Sequence, residues 1–367
     1  LRDRNTETKT RAAKIVGSLC KLTSYKDLKP YLNDILSNII ELVLDPIPNT
    51  RAMAAKAIGS LVMGVGIEEF PDLLTWLFNR IQSDESYITR NGAAQGLSEV
   101  MAAIDSEQLE KEIFPFILQL CQSEKYFVRQ GAVSVFQFLP DADTERFQHY
   151  LHIALPAITR SLADEVEDVR DASQKAGQSV VQVYARSAMD LLLKTLQMCM
   201  FDENWRIRMS SVQLLESFLQ TIVTTNETDT FKDLSELLEN QDGRNILAEL
   251  FIVRHDLNQS VAQAALLSWK SVIMNANKVL IPVLTDLIIR LIDYFGSDDE
   301  HKISVGNATI TDTVSKLSNR VFDQIVSILL DKLKQNENIE AVCLALSSTI
   351  EASPKHIVIE YFSILSP

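Results

Sequence analysis

The sequence predicts an all-α solenoid built from about nine helix pairs. A unit of roughly 40 residues recurs along the 367-residue chain, and repeats of this size stack on their neighbours in sequence order. The apolar positions of each unit fall on one helical stripe. Only 11 glycines and 10 prolines are present, too few for the many turns of an all-β protein.

Each unit is defined by three columns that follow an anchor residue in a turn. In all nine units, a β-branched residue comes five positions after the anchor, a small residue nine after and an apolar residue sixteen after. Steps of four and seven return to the same helix face, so the three columns form one stripe. The small column predicts a close approach between neighbouring helices. The anchors are Asp3, Asp45, Asp84, Ser123, Asp164, Asp202, Asp256, Asp298 and Lys334.

Within a unit, the pattern predicts an apolar first helix, a turn at the anchor and an Ala-rich second helix. Several first helices carry a proline, which is tolerated in the first turn and bends a helix interior. A proline-bent first helix, an acid-x-Val-Arg turn and an Ala-rich second helix are typical of HEAT repeats. The anchor acid is expected to cap the second helix or to favour its dipole. First helices are predicted at 28–44, 70–82, 109–122, 149–163 and 189–201.

The repeat spacing predicts three regions along the chain. Residues 1–220 contain repeats one to six, and residues 245–367 contain repeats seven to nine and the start of a further repeat. The interval between Asp202 and Asp256 is 54 residues long. It predicts an acidic, Thr-rich insertion at 221–244, where a bend or disorder is expected.

A basic ladder lies one position beyond the β-branched column in the first six units. Its members are Lys9, Arg51, Arg90, Arg129, Arg170 and Arg208. One interpretation is an Asp–Arg ladder between adjacent repeats, and the other is a basic strip that meets phosphate or an acidic protein. Trp205 and Arg206 add an aromatic residue and a base in a turn. The candidate partner contacts are therefore Trp205, Arg206, Arg208, Arg51, Arg90, Arg129 and Arg170.

Charge and composition restrict the class of partner. The formal net charge is −14, and an acidic protein of this kind is repelled by the phosphates along a nucleic acid. A local basic strip could still contact ribosomal RNA. No run of about 18 apolar residues is present, so no membrane span is predicted. The chain lacks an initiator Met and a signal-peptide core, and we interpret it as an internal fragment of a longer cytoplasmic protein.

No enzyme site, cofactor site or metal site is predicted. The glycine-rich segments lack the Gly-Lys-Ser/Thr that would cradle a phosphate. His149 and His152 could bind a metal with Glu145, but two imidazoles without a nearby Cys make a weak site. The four cysteines are far apart in apolar helical patterns and are expected to be buried thiols in a reducing compartment. They are Cys20, Cys121, Cys199 and Cys343.

Five segments of the sequence all resemble the same protein family. They lie at 1–19, 42–62, 91–101, 161–178 and 202–215, the last reading DENWRIRMSSVQLL. The family comprises the large HEAT-repeat translational activators of general amino-acid control, which activate the kinase of initiation factor 2 alpha. Part of those proteins resembles the HEAT domain of fungal elongation factor three, but no ATPase cassette is present in this chain.

The resemblance implies a cytoplasmic, ribosome-associated scaffold. Such a protein lies along stalled or collided ribosomes, near the stalk, and relays the amino-acid starvation signal to the kinase. The segment that docks the kinase is expected further towards the C-terminus of the parent protein. The alternative is a generic HEAT adaptor, such as a nuclear-transport carrier or a phosphatase scaffold, that binds a protein client. A stable client without ribosomes would favour this alternative.

Overall fold

The computed structural model describes residues 5–224, 234, 237–273, 275–317 and 319–359. Throughout these residues the secondary structure is helical, with no strand. The chain forms two compact units, Leu1–Ser187 and Ala188–Pro367. The predicted all-α repeat fold is thus confirmed. No described helix combines the length and the apolar character that a membrane span requires.

The first unit contains five second helices, which alternate with four first helices in the residues that the structure describes. The second helices are α1 (Thr6–Leu22), α3 (Pro48–Val65), α5 (Tyr87–Ala103), α7 (Tyr126–Ala142) and α9 (Glu167–Tyr184). The first helices are α2 (Leu32–Val43), α4 (Leu73–Ile81), α6 (Phe114–Leu120) and α8 (Leu151–Ser161). Short helical turns precede the first helices, at Tyr25–Leu28, Lys29–Tyr31, Ile67–Glu69, Ser106–Gln108, Leu109–Ile113 and Thr144–Gln148.

The second unit continues the alternation. Its first helices are α10 (Met189–Met200), α12 (Gln241–Val253), α14 (Ala276–Phe295) and α16 (Asn319–Lys334). Its second helices are α11 (Trp205–Thr224), α13 (Gln259–Val272), α15 (Glu300–Leu317) and α17 (Ile339–Ala352). The five predicted first helices contain α2, α4, α6, α8 and α10, and each observed helix is shorter than its prediction.

The small column lets the second helices of the first unit stack closely. Ala54, Ala93, Ala132 and Ser173 are all 0% exposed. The position just before the small column is glycine in α5 and α7. In these two helices that position contacts the C-terminal end of a first helix. A Cβ at Gly92 would lie 2.0 Å from the carbonyl oxygen of Val43, and a Cβ at Gly131 would lie 2.3 Å from that of Ile81. The helices can pack this closely only without a side chain at these positions.

Stacking follows a different pattern around the seventh repeat. Helix α13 packs on α11 and α12, whereas α15 packs on α12, α14, α16 and α17. Arg254, just after α12, forms an ion pair with Asp312 of α15. The same guanidinium lies 4.2 Å from the ring centre of Phe251 and 5.4 Å from that of Trp269 in α13. A buried cation with aromatic and acidic neighbours therefore connects α12, α13 and α15.

The predicted insertion at 221–244 is described only in part. Helix α11 continues to Thr224 and α12 begins at Gln241, while 225–233, 235 and 236 lie outside the described residues. The insertion and its boundaries therefore stay predictions. The start of a further repeat also stays a prediction, because 355–359 are helical and 360–367 are not described.

The interhelical turns as a candidate partner surface

The anchor acid closes the turn between the two helices of a pair. The Asp164 carboxylate accepts a hydrogen bond from the backbone N–H of Val166 at 3.0 Å, and Val166 is the N-cap residue of α9. Asp45, Asp202 and Asp256 make the same contact two residues on, at 2.8–3.0 Å. The expected helix cap is thus wrong in detail, because the acid forms an Asx turn before the cap residue.

The ladder arginine clamps its own turn and reaches the next one. Arg129 donates through one terminal nitrogen to the carbonyl oxygens of Ser123 and Glu124, at 2.9 and 3.1 Å. Its other two nitrogens donate to Asp164 at 2.7 and 2.8 Å. Both side chains are largely buried, with 13% of Arg129 and 10% of Asp164 exposed. One guanidinium therefore joins two successive repeats.

The pKa values agree with this pairing. The hydrogen bond to Asp164 raises the pKa of Arg129, against the effect of burial. Burial alone would raise the pKa of Asp164, but the hydrogen bond from Arg129, the Val166 N–H and the nearby positive charges hold it below its ordinary value. Both groups are therefore charged at neutral pH.

Other ladder members repeat all or part of this arrangement. Arg208 donates to the carbonyl oxygens of Asp202 and Glu203, and to both carboxylate oxygens of Asp256 at 2.8 and 3.0 Å. Lys9 pairs with Asp45 at 3.0 Å. Arg170 donates to the carbonyl oxygens of its own turn. The predicted ion pair from a ladder base to the acid of the next repeat is therefore present at three of the six positions, those of Lys9, Arg129 and Arg208.

Arg51 and Arg90 are buried deeper than the other ladder bases. They are 6% and 5% exposed, and burial lowers the pKa of both guanidinium groups. Arg51 donates to two carbonyl oxygens of its turn. Arg90 donates to the carbonyl oxygen of Ser83 and, at 2.6 Å, to the side chain of Gln130 in the next repeat. Their donors are directed into the protein.

Trp205 and Arg206 have a different environment from the ladder. Both side chains are half-buried at the start of α11, and the guanidinium carbon of Arg206 lies 5.0 Å from the Trp205 ring centre. Asn204 accepts a hydrogen bond from the backbone N–H of Arg206 at 3.0 Å. Within the described residues the Arg206 guanidinium forms no ion pair. Among the bases of the predicted contact set, Arg206 is the one whose guanidinium makes neither a hydrogen bond nor an ion pair within the described residues.

The sequence pattern missed a further ion pair of the ladder type. Arg244 of α12 donates to the carbonyl oxygens of Leu238 and Glu239 and pairs with Asp286 of α14 at 3.1 Å. The six-residue step from Leu238 to Arg244 equals the step from anchor to ladder base. That step was the available signal, but Arg244 falls in a first helix, outside the columns.

The described residues also bear on the expectations for metal ligands and for the four cysteine thiols. They contain no cluster of three or more His, Cys, Asp or Glu side chains that could hold a metal. Burial raises the pKa of Cys121 to about 12 and that of Cys199 to about 11, which disfavours the reactive thiolate. Cys20 is buried, Cys121 and Cys199 are partly buried and Cys343 is exposed. The expectation of four buried thiols is therefore confirmed for Cys20, is met only in part for Cys121 and Cys199, and is wrong for Cys343.

Comparison with known families places these turns in a known type of repeat. Residues 90–240 match the family model described as EF3 N-terminal HEAT repeat. Residues 1–71 match the model described as Elongation factor 3/GNC1 HEAT repeat. Two separate segments of the chain therefore match HEAT-repeat models of the elongation factor 3 and GNC1 type.

Two curated proteins match nearly the whole chain. The chain is 36% identical to the eIF-2-alpha kinase activator GCN1 of Dictyostelium discoideum over 385 residues, which cover 99% of the chain. It is also 36% identical to the stalled ribosome sensor GCN1 of Homo sapiens over 380 residues, or 98% of the chain. The chain spans 14% of the length of each relative, so it corresponds to one segment of those HEAT-repeat proteins.

Among solved structures, importin beta resembles this chain only weakly. A crystal structure of importin beta is 12% identical and has a TM-score of 0.39, over 99% of this chain and 53% of that chain. At this level the likeness does not bear on the function of the HEAT repeats described here.

Proposed function

We propose that this chain is a ribosome-associated scaffold segment of a cytoplasmic translational regulator. The regulator senses stalled or collided ribosomes and promotes activation of the initiation factor 2 alpha kinase during amino-acid starvation. The observation that carries this proposal is the match of nearly the whole chain to proteins named as a stalled ribosome sensor and a kinase activator. The segment acts by binding, without catalysis.

The repeat architecture suits this role physically. Repeats that contact mainly their neighbours form extended surfaces, and small rotations at each interface let such a surface follow a large, uneven partner. The Asp–Arg ladder keeps each turn in place while those rotations occur. We propose contacts near the ribosomal stalk and to ribosomal RNA as the finer partners of this surface.

The proposed contact is the stacked pair formed by Trp205 and Arg206. The guanidinium has no carboxylate partner within the described residues, so it can bind a phosphate or an acidic side chain without breaking an ion pair. The half-buried indole beside it offers a flat apolar surface for a base or a side chain. The ladder bases Arg51, Arg90, Arg129, Arg170 and Arg208 are expected to contribute less, because they already bind their own turns.

The test is co-sedimentation of the full-length protein with ribosomes after induced collisions. We compare wild type with the double variant Trp205→Ala plus Arg206→Glu. Loss of one charge-assisted contact and one stacking contact should weaken binding by about tenfold or more. Circular dichroism should show unchanged helicity, because the Trp205 ring and the Arg206 guanidinium make no hydrogen bond to any described residue.

A matched control is available in the first unit. Trp76 and Arg80 also stack, with the guanidinium carbon 5.6 Å from the ring centre, but Arg80 is already paired with Glu85 at 3.0 Å. The control variant Trp76→Ala plus Arg80→Glu should retain ribosome binding. Equal loss in both variants would contradict the assignment of the contact, and absence of the wild-type protein from ribosome fractions would contradict the proposed function.

A further inference from the structure

A polar cavity lies among the first helices α10, α12 and α14 of the second unit. Its volume is about 250 Å³, far above the roughly 10–15 Å³ that one water requires. The walls are formed mainly by hydrogen-bonding side chains, together with the methyl groups of Ala248 and Ile289. The polar side chains that the argument uses are Gln197, Gln241, Glu249, Asp286, Arg290 and Asp293.

Glu249 contributes the least exposed charge of this cavity. The residue is 1% exposed. Its Oε1 atom accepts hydrogen bonds from Gln197 and Arg290, both at 2.8 Å. Its Oε2 atom is buried and has no hydrogen-bond partner among the described residues. A buried carboxylate oxygen without a donor is costly, so this atom indicates the place of a donor group.

The balance of charge on the cavity walls is negative. The walls carry the carboxylates of Glu249, Asp286 and Asp293 and the guanidinium of Arg290. Arg244, outside the walls, pairs with Asp286 at 3.1 Å, so three carboxylates meet two guanidinium groups and one negative charge is in excess. Asp293 is 58% exposed and lies 3.8 Å from Arg290, so it leaves negative charge at the mouth of the cavity. Burial outweighs the contacts from Gln197 and Arg290 and raises the pKa of Glu249 to about 7. A bound cation would stabilise the ionised form of this carboxylate.

We propose that this cavity, the Glu249 cavity, receives an arginine side chain of a protein partner. A guanidinium has five N–H donors in one plane, so it can donate to Glu249 Oε2 and to acceptors on the other walls together. It is more weakly hydrated than an ammonium group, which favours its burial. Its carbon stem can pack on Ile289 and Ala248. The partner therefore presents an arginine to the first-helix face of the second unit, separately from the Trp205–Arg206 contact.

The experiment uses the 367-residue chain with ¹³C-labelled Ala and Ile methyl groups. The probe is N-acetyl-arginine methylamide, and the control probe is its neutral isostere N-acetyl-citrulline methylamide. The NMR signals of Ala248 and Ile289 should shift with the arginine probe and saturate with a Kd on the order of 1 mM, as suits a single side chain. The citrulline probe should leave them unchanged.

Two variants locate the binding group. Glu249→Gln should weaken binding of the arginine probe by about tenfold or more, because it removes the charge that the guanidinium meets. Glu340→Gln removes an exposed acid elsewhere in the second unit and should leave binding unchanged. Asp286→Asn, expected to weaken binding less, provides the same comparison should Glu249→Gln fail to fold.

Several outcomes would overturn the proposal. Equal shifts with arginine and citrulline would show that charge is not recognised. Unchanged binding of the arginine probe to Glu249→Gln, or shifts that do not saturate up to tens of millimolar probe, would show that the guanidinium does not bind at Glu249. A water molecule would then be the donor to Oε2. Equal or tighter binding of N-acetyl-lysine methylamide would overturn the assignment to a guanidinium.

Discussion

At the scale of single residues, the ladder arginines serve as structural ties between turns. All three guanidinium nitrogens of Arg129 donate within the protein, to two carbonyl oxygens and two carboxylate oxygens. The sequence gives the spacing from acid to base, but that spacing is compatible with either an inward or an outward guanidinium. Only the distance to Asp164 in the next turn distinguishes the two.

Arg129→Ala should lower the free energy of unfolding of the first unit by about 2–4 kcal/mol. The variant leaves the Asp164 carboxylate and two turn carbonyl groups without their donor in a largely buried place. Urea unfolding of the 367-residue chain, followed by circular dichroism, measures the change. Arg11→Ala is the control, because its pair with Glu7 is exposed and should contribute less than about 0.5 kcal/mol.

The same variant should have a smaller effect in acid. The pKa of Asp164 is lower in the folded than in the unfolded chain, so its stabilisation is complete at neutral pH and is lost as pH falls below about 4. The difference between wild type and Arg129→Ala should therefore narrow in this range. A difference that stays constant from pH 7 to pH 3 would show that the ion pair is not its source.

At the scale of helices, close approach determines which residues the second helices tolerate. The sequence predicted a small column, and the structure adds the glycine position before it. Gly131 in α7 meets the backbone at the end of α4, where the carbonyl oxygen of Ile81 cannot move without disturbing the turn. Helical periodicity could not identify this contact, because the carbonyl belongs to a different repeat.

Gly131→Ala should destabilise the first unit although alanine favours helices. The new methyl would lie 2.3 Å from the Ile81 carbonyl oxygen, and relief of this overlap costs about 1–3 kcal/mol, more than the helix propensity gain of about 1 kcal/mol. Gly96→Ala is the control, because its nearest neighbour is the flexible tip of Leu77 at 3.1 Å. Equal urea midpoints for the two variants would contradict this account of the packing.

At the scale of the whole molecule, the repeat register predicted the fold and the order of the helices well. The periodicity of apolar and small residues is a local property of the chain, so a single sequence is enough to detect it. The two-unit division and the ion pair between Arg254 and Asp312 depend on contacts between distant residues, and no column marks them. Glu249 had a signal in the sequence, as the single acid in the run ILAELFIV, but its buried oxygen becomes apparent only when α10 and α14 are placed around it.

The measurement that tests the central claim most directly is ribosome co-sedimentation of the full-length protein with a graded charge series at Arg206. The variants Arg206→Lys, Arg206→Gln and Arg206→Glu carry +1, 0 and −1 at one position. The account predicts that the bound fraction falls in that order, by about tenfold in affinity from Lys to Glu, with unchanged helicity. A flat series, with wild-type protein bound to collided ribosomes, would contradict the claim that this turn contacts the ribosome.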